Sequence, residues 1–261
     1  MPTTLMYHDV VEDACADSSG FTGPAARRYK LRPRDFEAHL ESLARALDRP
    51  PITIDQPARL SDPESLVLTF DDGGVSCYAP IAELLDRLGW RGHFFVPTDS
   101  IQTPGFMTAV QIRSLRARGH VIGSHSCSHP IPMWAYGEHE LREEWHRSKS
   151  TLEEILAEPV TTASIPGGFY SRKVARAAAD AGIRVLFTSE PTRRCHVIND
   201  CAVLGRFTIL RGTAGRTAVA LASGRKGPRF RQALCWNLRK IAKIVAGKFY
   251  LRCSKRILAG A

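Results

Sequence analysis

The chain has no Cys-x-x-Cys pair, and its seven cysteines (15, 77, 127, 195, 201, 235 and 253) are odd in number and scattered. That excludes a zinc knuckle and a thioredoxin-like motif, and it fits a reducing compartment better than a disulfide framework. No stretch reaches about 18 uninterrupted apolar residues, so a membrane-spanning helix is not expected. The opening Met1-Pro2-Thr3-Thr4-Leu5-Met6-Tyr7-His8-Asp9 carries neither a basic leader nor the apolar run of an export signal. The expected compartment is therefore the cytoplasm, at the inner face of the membrane if the tail attaches there. An exported form with its signal already removed is the alternative. Low-complexity tracts are missing too, and 44% hydrophobic with 24% charged residues is ordinary for a folded protein.

Acidic residues are absent from residues 201–261, which hold 14 Lys and Arg, whereas residues 1–200 hold 22 basic against 26 acidic. The net charge of +10 thus belongs to the C-terminal quarter. Within it, Phe230, Leu234, Leu238, Ile241, Val245 and Phe249 recur at helical spacing. Arg239, Lys240 and Lys243 fall on the other face, as does Trp236. Such a basic amphipathic helix suits an anionic membrane surface, or a terminal helix packed on the body with its charges in solvent. Nucleic acid is the weaker reading, because no recognition motif accompanies the charge. The expected organisation is one catalytic body over residues 1–223 and a basic helical tail over 224–261.

The body alternates short apolar runs with helical patterns. Strands are expected at 3–7, 66–70, 92–96, 121–123, 161–165 and 185–188. Helices are expected at 35–47, 79–88, 108–118, 140–157 and 172–181, three of them stopped by Gly89, Gly119 and Gly182. This rhythm argues for a parallel sheet with crossover helices. The chemically distinctive residues fall just after predicted strands, where barrels of this kind assemble their sites.

Two segments carry the chemistry. Thr69-Phe70-Asp71-Asp72-Gly73 ends one apolar run, and His125-Ser126-Cys127-Ser128-His129 ends another. Asp-Asp-Gly alone is also a plain turn, and two histidines four apart can arise by chance. Together they offer one carboxylate and two imidazoles for a metal with open positions, and a second carboxylate free to act as a base. Cys127 is set aside as a ligand, since spacing i, i+4 puts the two imidazoles on one side of a helical turn.

These motifs resemble those of the NodB-homology polysaccharide deacetylases, carbohydrate esterase family 4: T-F-D-D-G at 69–73 and H-[ST]-x-x-H at 125–129. The resemblance covers residues 1–210 and implies a distorted (β/α)7 barrel. Carried over, it makes Asp71 the catalytic base and Asp72, His125 and His129 the ligands of a divalent metal, zinc first. Two departures stand out. Where the family has an Arg-bearing third motif that orients the base, this chain has Ser164-Ile165-Pro166-Gly167-Gly168-Phe169-Tyr170. Gly167 and Gly168 could bring a backbone N–H to an oxyanion, with Tyr170 beside the substrate, or form a simple tight turn. The stretch Val203-Leu204-Gly205-Arg206-Phe207 also lacks the histidine that supplies the family's acid. Leu5-Met6-Tyr7-His8-Asp9-Val10 resembles instead the N-terminal Y-H-x-V segment of the permuted poly-N-acetylglucosamine deacetylases, which makes His8 the acid. Asp9 or Glu190 would orient it.

The implied activity is metal-dependent removal of acetyl groups from an acetylated sugar, an N-acetyl amino sugar of a glycan or lipid-linked precursor. The alternatives are O-deacetylation, hydrolysis of another amide, or a barrel that has lost catalysis and binds at a membrane. The absent third-motif arginine keeps that last alternative open.

Overall fold

The computed structural model describes residues 1–55, 60, 62–168 and 170–238. Among the described residues nine strands form one curled sheet in the order β7-β8-β6-β5-β4-β3-β2-β1-β9. They are β1 (Thr3–Tyr7), β2 (Leu66–Phe70), β3 (His93–Val96), β4 (Val121–Ser124), β5 (Thr162–Ser164), β6 (Val185–Phe187), β7 (Cys195–Ile198), β8 (Cys201–Leu204) and β9 (Phe207–Thr208). All pairings are parallel except β7 with β8, an antiparallel hairpin at one edge. This is the parallel sheet that the strand–helix alternation predicts, curled into the distorted barrel that the resemblance implies.

The helices are α1 (Pro24–Arg27), α2 (Pro33–Ala46), α3 (Ile81–Arg87), α4 (Ala109–Ala117), α5 (Glu138–Leu156), α6 (Arg172–Asp180) and α7 (Gly215–Ala222). Local chemistry fixes their ends. Pro33 opens α2 at a position where its missing N–H costs nothing. Thr108 and Gln111 close a reciprocal capping box on α4, and the Ser171 hydroxyl caps α6. Phe36, His39, Leu40 and Leu43 form the buried stripe of α2, as the helical spacing requires.

Side chains alternate across each strand, and this period of two sorts the chain into two faces. Leu5, Tyr7, Leu66, Leu68, Phe70, Phe94 and Ile122 belong to the core beneath the helices. Val67, Phe95, Val185, Phe187, Ala202 and Leu204 fill the concave side of the curl. Continuing the concave parity past each strand end leads from Val67 through Thr69 to Asp71, from Gly123 to His125, from Thr162 to Ser164, and from Ala202 through Leu204 to Arg206. On β1 the same count leads from Met6 to His8. The sheet therefore delivers five polar side chains to the carboxyl edge of its concave face, by register alone. Gly123 is required there, because a Cβ would overlap the Phe95 ring and the Thr162 hydroxyl.

Three features differ from the sequence reading. The β7–β8 hairpin and β9 were not foreseen, because each run has only two to four residues and carries no helical or long apolar signature. Residues 226–238 are helical (α8), as the spacing predicts; Ile241, Val245, Phe249 and the basic residues beyond lie outside the described residues. The orientation of α8 is the reverse of a helix packed by its apolar stripe. Arg229 bonds to the Leu221 carbonyl and the Thr3 hydroxyl and stands 4.9 Å from the centre of the Phe207 ring. Gln232 exchanges two hydrogen bonds with the backbone of Thr208. Phe230, Leu234 and Leu238 face solvent at 68%, 47% and 57% exposure. Among the described residues no helix is long and apolar enough to cross a membrane.

Candidate metal and catalytic site

Asp71 and Asp72 follow β2 directly, yet they meet different partners. The Asp71 N–H continues the sheet by bonding the Tyr7 carbonyl at 3.1 Å, so its side chain keeps the concave parity. Asp72 then turns left-handed, at φ 75°, a conformation uncommon for a residue with a side chain. That twist lets adjacent carboxylates serve two sites. Gly74 follows because a Cβ there would overlap Asp9 and Ser19.

Asp72 Oδ1 lies 3.4 Å from His125 Nε2 and 3.3 Å from His129 Nε2. All three ligand atoms fall within 4.8 Å of one another. His125 uses its other nitrogen, Nδ1, toward the Ser164 carbonyl at 2.8 Å. A carbonyl can only accept, so Nδ1 donates there and Nε2 is the nitrogen turned toward Asp72, the one a metal would take in place of a proton. One carboxylate and two correctly turned imidazoles fit a divalent ion, with coordination positions left for water and substrate. The two histidines do not share a helical turn, as i, i+4 spacing suggested. Their rings, 4.9 Å apart, converge because Ser126 and His129 adopt positive φ angles of 60° and 56°. Cys127 is buried and does not join Asp72, His125 and His129 in the converging cluster, so its exclusion as a ligand agrees with the geometry.

Asp71 is held by a residue that sequence reading passed over. Arg206, fully buried, grips it with two parallel bonds, Nη1 to Oδ1 and Nη2 to Oδ2, each 2.7 Å. The remaining guanidinium donors are all matched. Nε bonds the Thr188 carbonyl at 2.9 Å, Nη1 the Thr69 hydroxyl at 3.1 Å, and Nη2 the Ser164 hydroxyl at 2.7 Å. The Phe95 and Phe187 rings flank the charge at 5.8 and 5.9 Å. The arginine missing from the segment at Ser164 is thus supplied from the chain after β8, two strands away in the sheet, and Ser164 bridges it to Asp71 at 3.0 Å. The available signal was an arginine two residues beyond Leu204, inside an otherwise apolar run.

Burial pushes both carboxyls up in pKa. For Asp71 the charge of Arg206, then those of His125 and His8, outweigh burial and hold it below the usual carboxylate value. For Asp72 the hydrogen bonds from His125 and His129 and the charge of His8 hold it well below. Burial pulls His125 down, but Asp71 and Asp72 raise it on balance. Both carboxylates are therefore ionised at neutral pH.

His8 follows β1, one step past the Tyr7–Phe70 register pair and level with Asp71. It is half-buried, packs at 4.6 Å against the Tyr29 ring, and has a buried Nδ1 without a hydrogen-bond partner. Asp9 does not orient it. Its carboxylate accepts from Ser19 Oγ at 2.5 Å and Ser76 Oγ at 2.8 Å, fastening the loop after β1 to the loop after β2.

The expected oxyanion segment needs one correction. Gly167 and Gly168 are left-handed, at φ 65° and 68°, but the Gly168 N–H closes the turn onto the Ile165 carbonyl at 2.8 Å. That N–H is therefore already used in the turn, and Gly167 is exposed beside Ile131. Tyr170 is half-buried, edge-on to His196 at 4.8 Å. On the opposite rim Phe21 lies 4.4 Å from the His129 ring and 5.1 Å from Phe106. The 102–106 loop is tied down there, with Gly105 accepting from Gly20 and Val75.

Comparison with known proteins agrees with this fold. The profile of the family described as polysaccharide deacetylase matches residues 59–186. A curated Bacillus subtilis protein, YxkH, whose name places it provisionally among polysaccharide deacetylases, is 24% identical over 193 residues. The match takes in 72% of this chain and 64% of the relative, so part of the relative has no counterpart here. Among solved structures, the Streptococcus pyogenes deacetylase PplD, determined with acetate, superposes with a TM-score of 0.68 at 18% identity. It covers 82% of this chain and 95% of its own. IcaB from Ammonifex degensii gives 0.66 at 22% identity, over 85% of this chain and 97% of its own. At these identities the structural likeness speaks for the fold.

Proposed function

We propose, on the premise that this chain carries a polysaccharide deacetylase domain, that the carboxyl edge of the sheet is a working hydrolytic site for acetylated sugars. The observation that carries the reading is the pairing of a three-residue metal cluster with a separate carboxylate kept ionised by Arg206. The arginine whose absence favoured the non-catalytic alternative is present by another route.

Asp72, His125 and His129 would hold the metal, with zinc the first choice for one carboxylate and two imidazoles. When bound, it would supply Lewis acidity toward the acetyl oxygen and lower the pKa of water. Asp71, ionised and fixed by Arg206 and Ser164, takes the proton of the attacking water. His8 lies across the same edge, near enough for its charge to act on both aspartates, and returns a proton to the leaving amine or alcohol. Its unpartnered Nδ1 leaves the ring free of a competing hydrogen bond on that nitrogen.

The substrate class we favour is an N-acetyl amino sugar in a glycan or lipid-linked precursor, with O-acetyl sugars as the second choice. The test is acetate release from chitin oligosaccharides and from O-acetylated sugars by zinc-loaded protein. Release from the N-acetyl series is the expected result; release from O-acetyl substrates alone would move the reading to an esterase. In the same assay His8→Ala should lower kcat by about 10²–10⁴-fold, the usual contribution of a positioned acid. A rate near wild type would remove His8 as the acid.

A further inference from the structure

We infer that Glu144 is a positioning residue that shapes the turn between the two histidines so that His129 reaches Asp72. The inference rests on the reading of Asp72, His125 and His129 as a metal site. Glu144 lies on α5, 17 positions after Cys127 and outside both motifs, and is 9% exposed. Its Oε2 accepts the backbone N–H of Cys127 at 2.9 Å and of Ser128 at 3.0 Å, and its Oε1 accepts the Ser128 hydroxyl at 2.6 Å. Three donors converge on one carboxylate.

The rest of the turn is held from other directions. Thr98 and Asp99 donate to the carbonyls of Ser126 and Cys127, at 3.2 and 3.1 Å. Ser124 Oγ accepts the Ser126 N–H at 3.1 Å and pairs with Ser148 of the same α5 at 2.7 Å. Such enclosure is what a turn with two left-handed, side-chain-bearing residues needs, because those conformations persist only where their surroundings over-determine them. Ser126 and His129 are those two residues.

The two imidazoles depend on Glu144 unequally. His125 is fixed at its far nitrogen by the Ser164 carbonyl. No hydrogen bond to the His129 ring other than the Asp72 contact occurs among the described residues; the ring is placed by the turn behind it and by Phe21. Removing the Glu144 carboxylate leaves the Cys127 and Ser128 N–H groups without their acceptor, and the turn can relax through His129 while His125 stays.

The experiment is metal titration of the full chain with Zn²⁺ and Co²⁺, in wild type, Glu144→Ala, Glu144→Gln and Ser128→Ala, with thermal unfolding of each metal-free protein as a check on folding. Glu144→Ala should weaken binding by about 10–100-fold, the range for groups that orient metal ligands, and should change the visible Co²⁺ spectrum. Glu144→Gln should restore both, since its amide oxygen can accept the two N–H groups and its NH₂ can donate to Ser128 Oγ. Ser128→Ala should lose less, under about tenfold. Unchanged affinity and spectrum in folded Glu144→Ala would overturn the proposal, as would a folded Glu144→Gln no better than alanine. If Glu144→Ala does not fold, full affinity in Ser128→Ala overturns it. Wild type that binds no metal would instead overturn the metal-site reading, and this proposal with it.

Discussion

Asp71→Asn is expected to keep its metal and lose its turnover. The substitution preserves size and leaves Asp72, His125 and His129 untouched, so ion uptake should match wild type. What disappears is the proton acceptor. An amide cannot take the water proton, and its NH₂ would face an Arg206 donor where a carboxylate oxygen stood. The rate should fall to about 10⁻⁴ of wild type or below, the upper range for losing a positioned base. Acetate release and bound metal, measured on the same preparation, check both halves. Metal lost along with activity would mean that the two aspartates do not divide the work as assigned.

Arg206→Met is expected to move the pH dependence as well as the rate. In wild type the guanidinium overrides burial and keeps Asp71 ionised below the ordinary carboxylate range. The base is then active across the neutral range, and its acid limb lies at low pH. Without Arg206, burial is the first influence left, and it favours the protonated form, so the acid limb should move to higher pH. At pH 7 kcat/KM should fall by about 10²–10³-fold, with part regained on the alkaline side. Stability should drop as well, by about 3–5 kcal/mol, because a buried charge loses its partner. The sign of the pH effect follows from the depressed pKa of Asp71. Its ion pair stabilises the fold above the unfolded carboxylate's titration, and that contribution is lost as pH falls through the lower folded value. A pH–rate profile identical in shape to wild type would contradict the assigned role of Arg206.

Much of the site was legible because the fold is parallel and its side-chain period is short. β1 and β2 occupy the predicted residues, and the other parallel strands up to β6 lie within a residue or so of theirs. Asp71, Asp72, His125 and His8 each follow a strand, which a sequence displays directly. Arg206 was harder to find for a physical reason. Its partner is 135 positions away, and the two meet only because β8 and β2 curl onto one concave face. No local pattern encodes that approach. The histidine pair was correctly singled out but for an incomplete reason, since its convergence depends on two left-handed residues and not on a helical repeat. Between an oxyanion donor and a tight turn the Gly168 N–H takes the turn, because turn chemistry shows that a turn forms, not which hydrogen bond closes it. The tail helix was placed correctly as far as residue 238, but its docking face follows from Arg229 and Gln232 meeting Phe207 and Thr208. Apolar spacing alone left open whether the apolar stripe packs on the body or stays free for a membrane surface.

The central claim is that Asp72, His125 and His129 form a metal centre beside an independently held base. The most direct measurement is the amount of divalent metal retained by wild type and by Asp72→Ala after matched incubation with zinc and removal of the free ion. The account predicts about one equivalent in the wild type and a near-complete loss in the variant, with the fold intact by thermal unfolding. No stoichiometric binding in the wild type, or the same binding in Asp72→Ala, would contradict it.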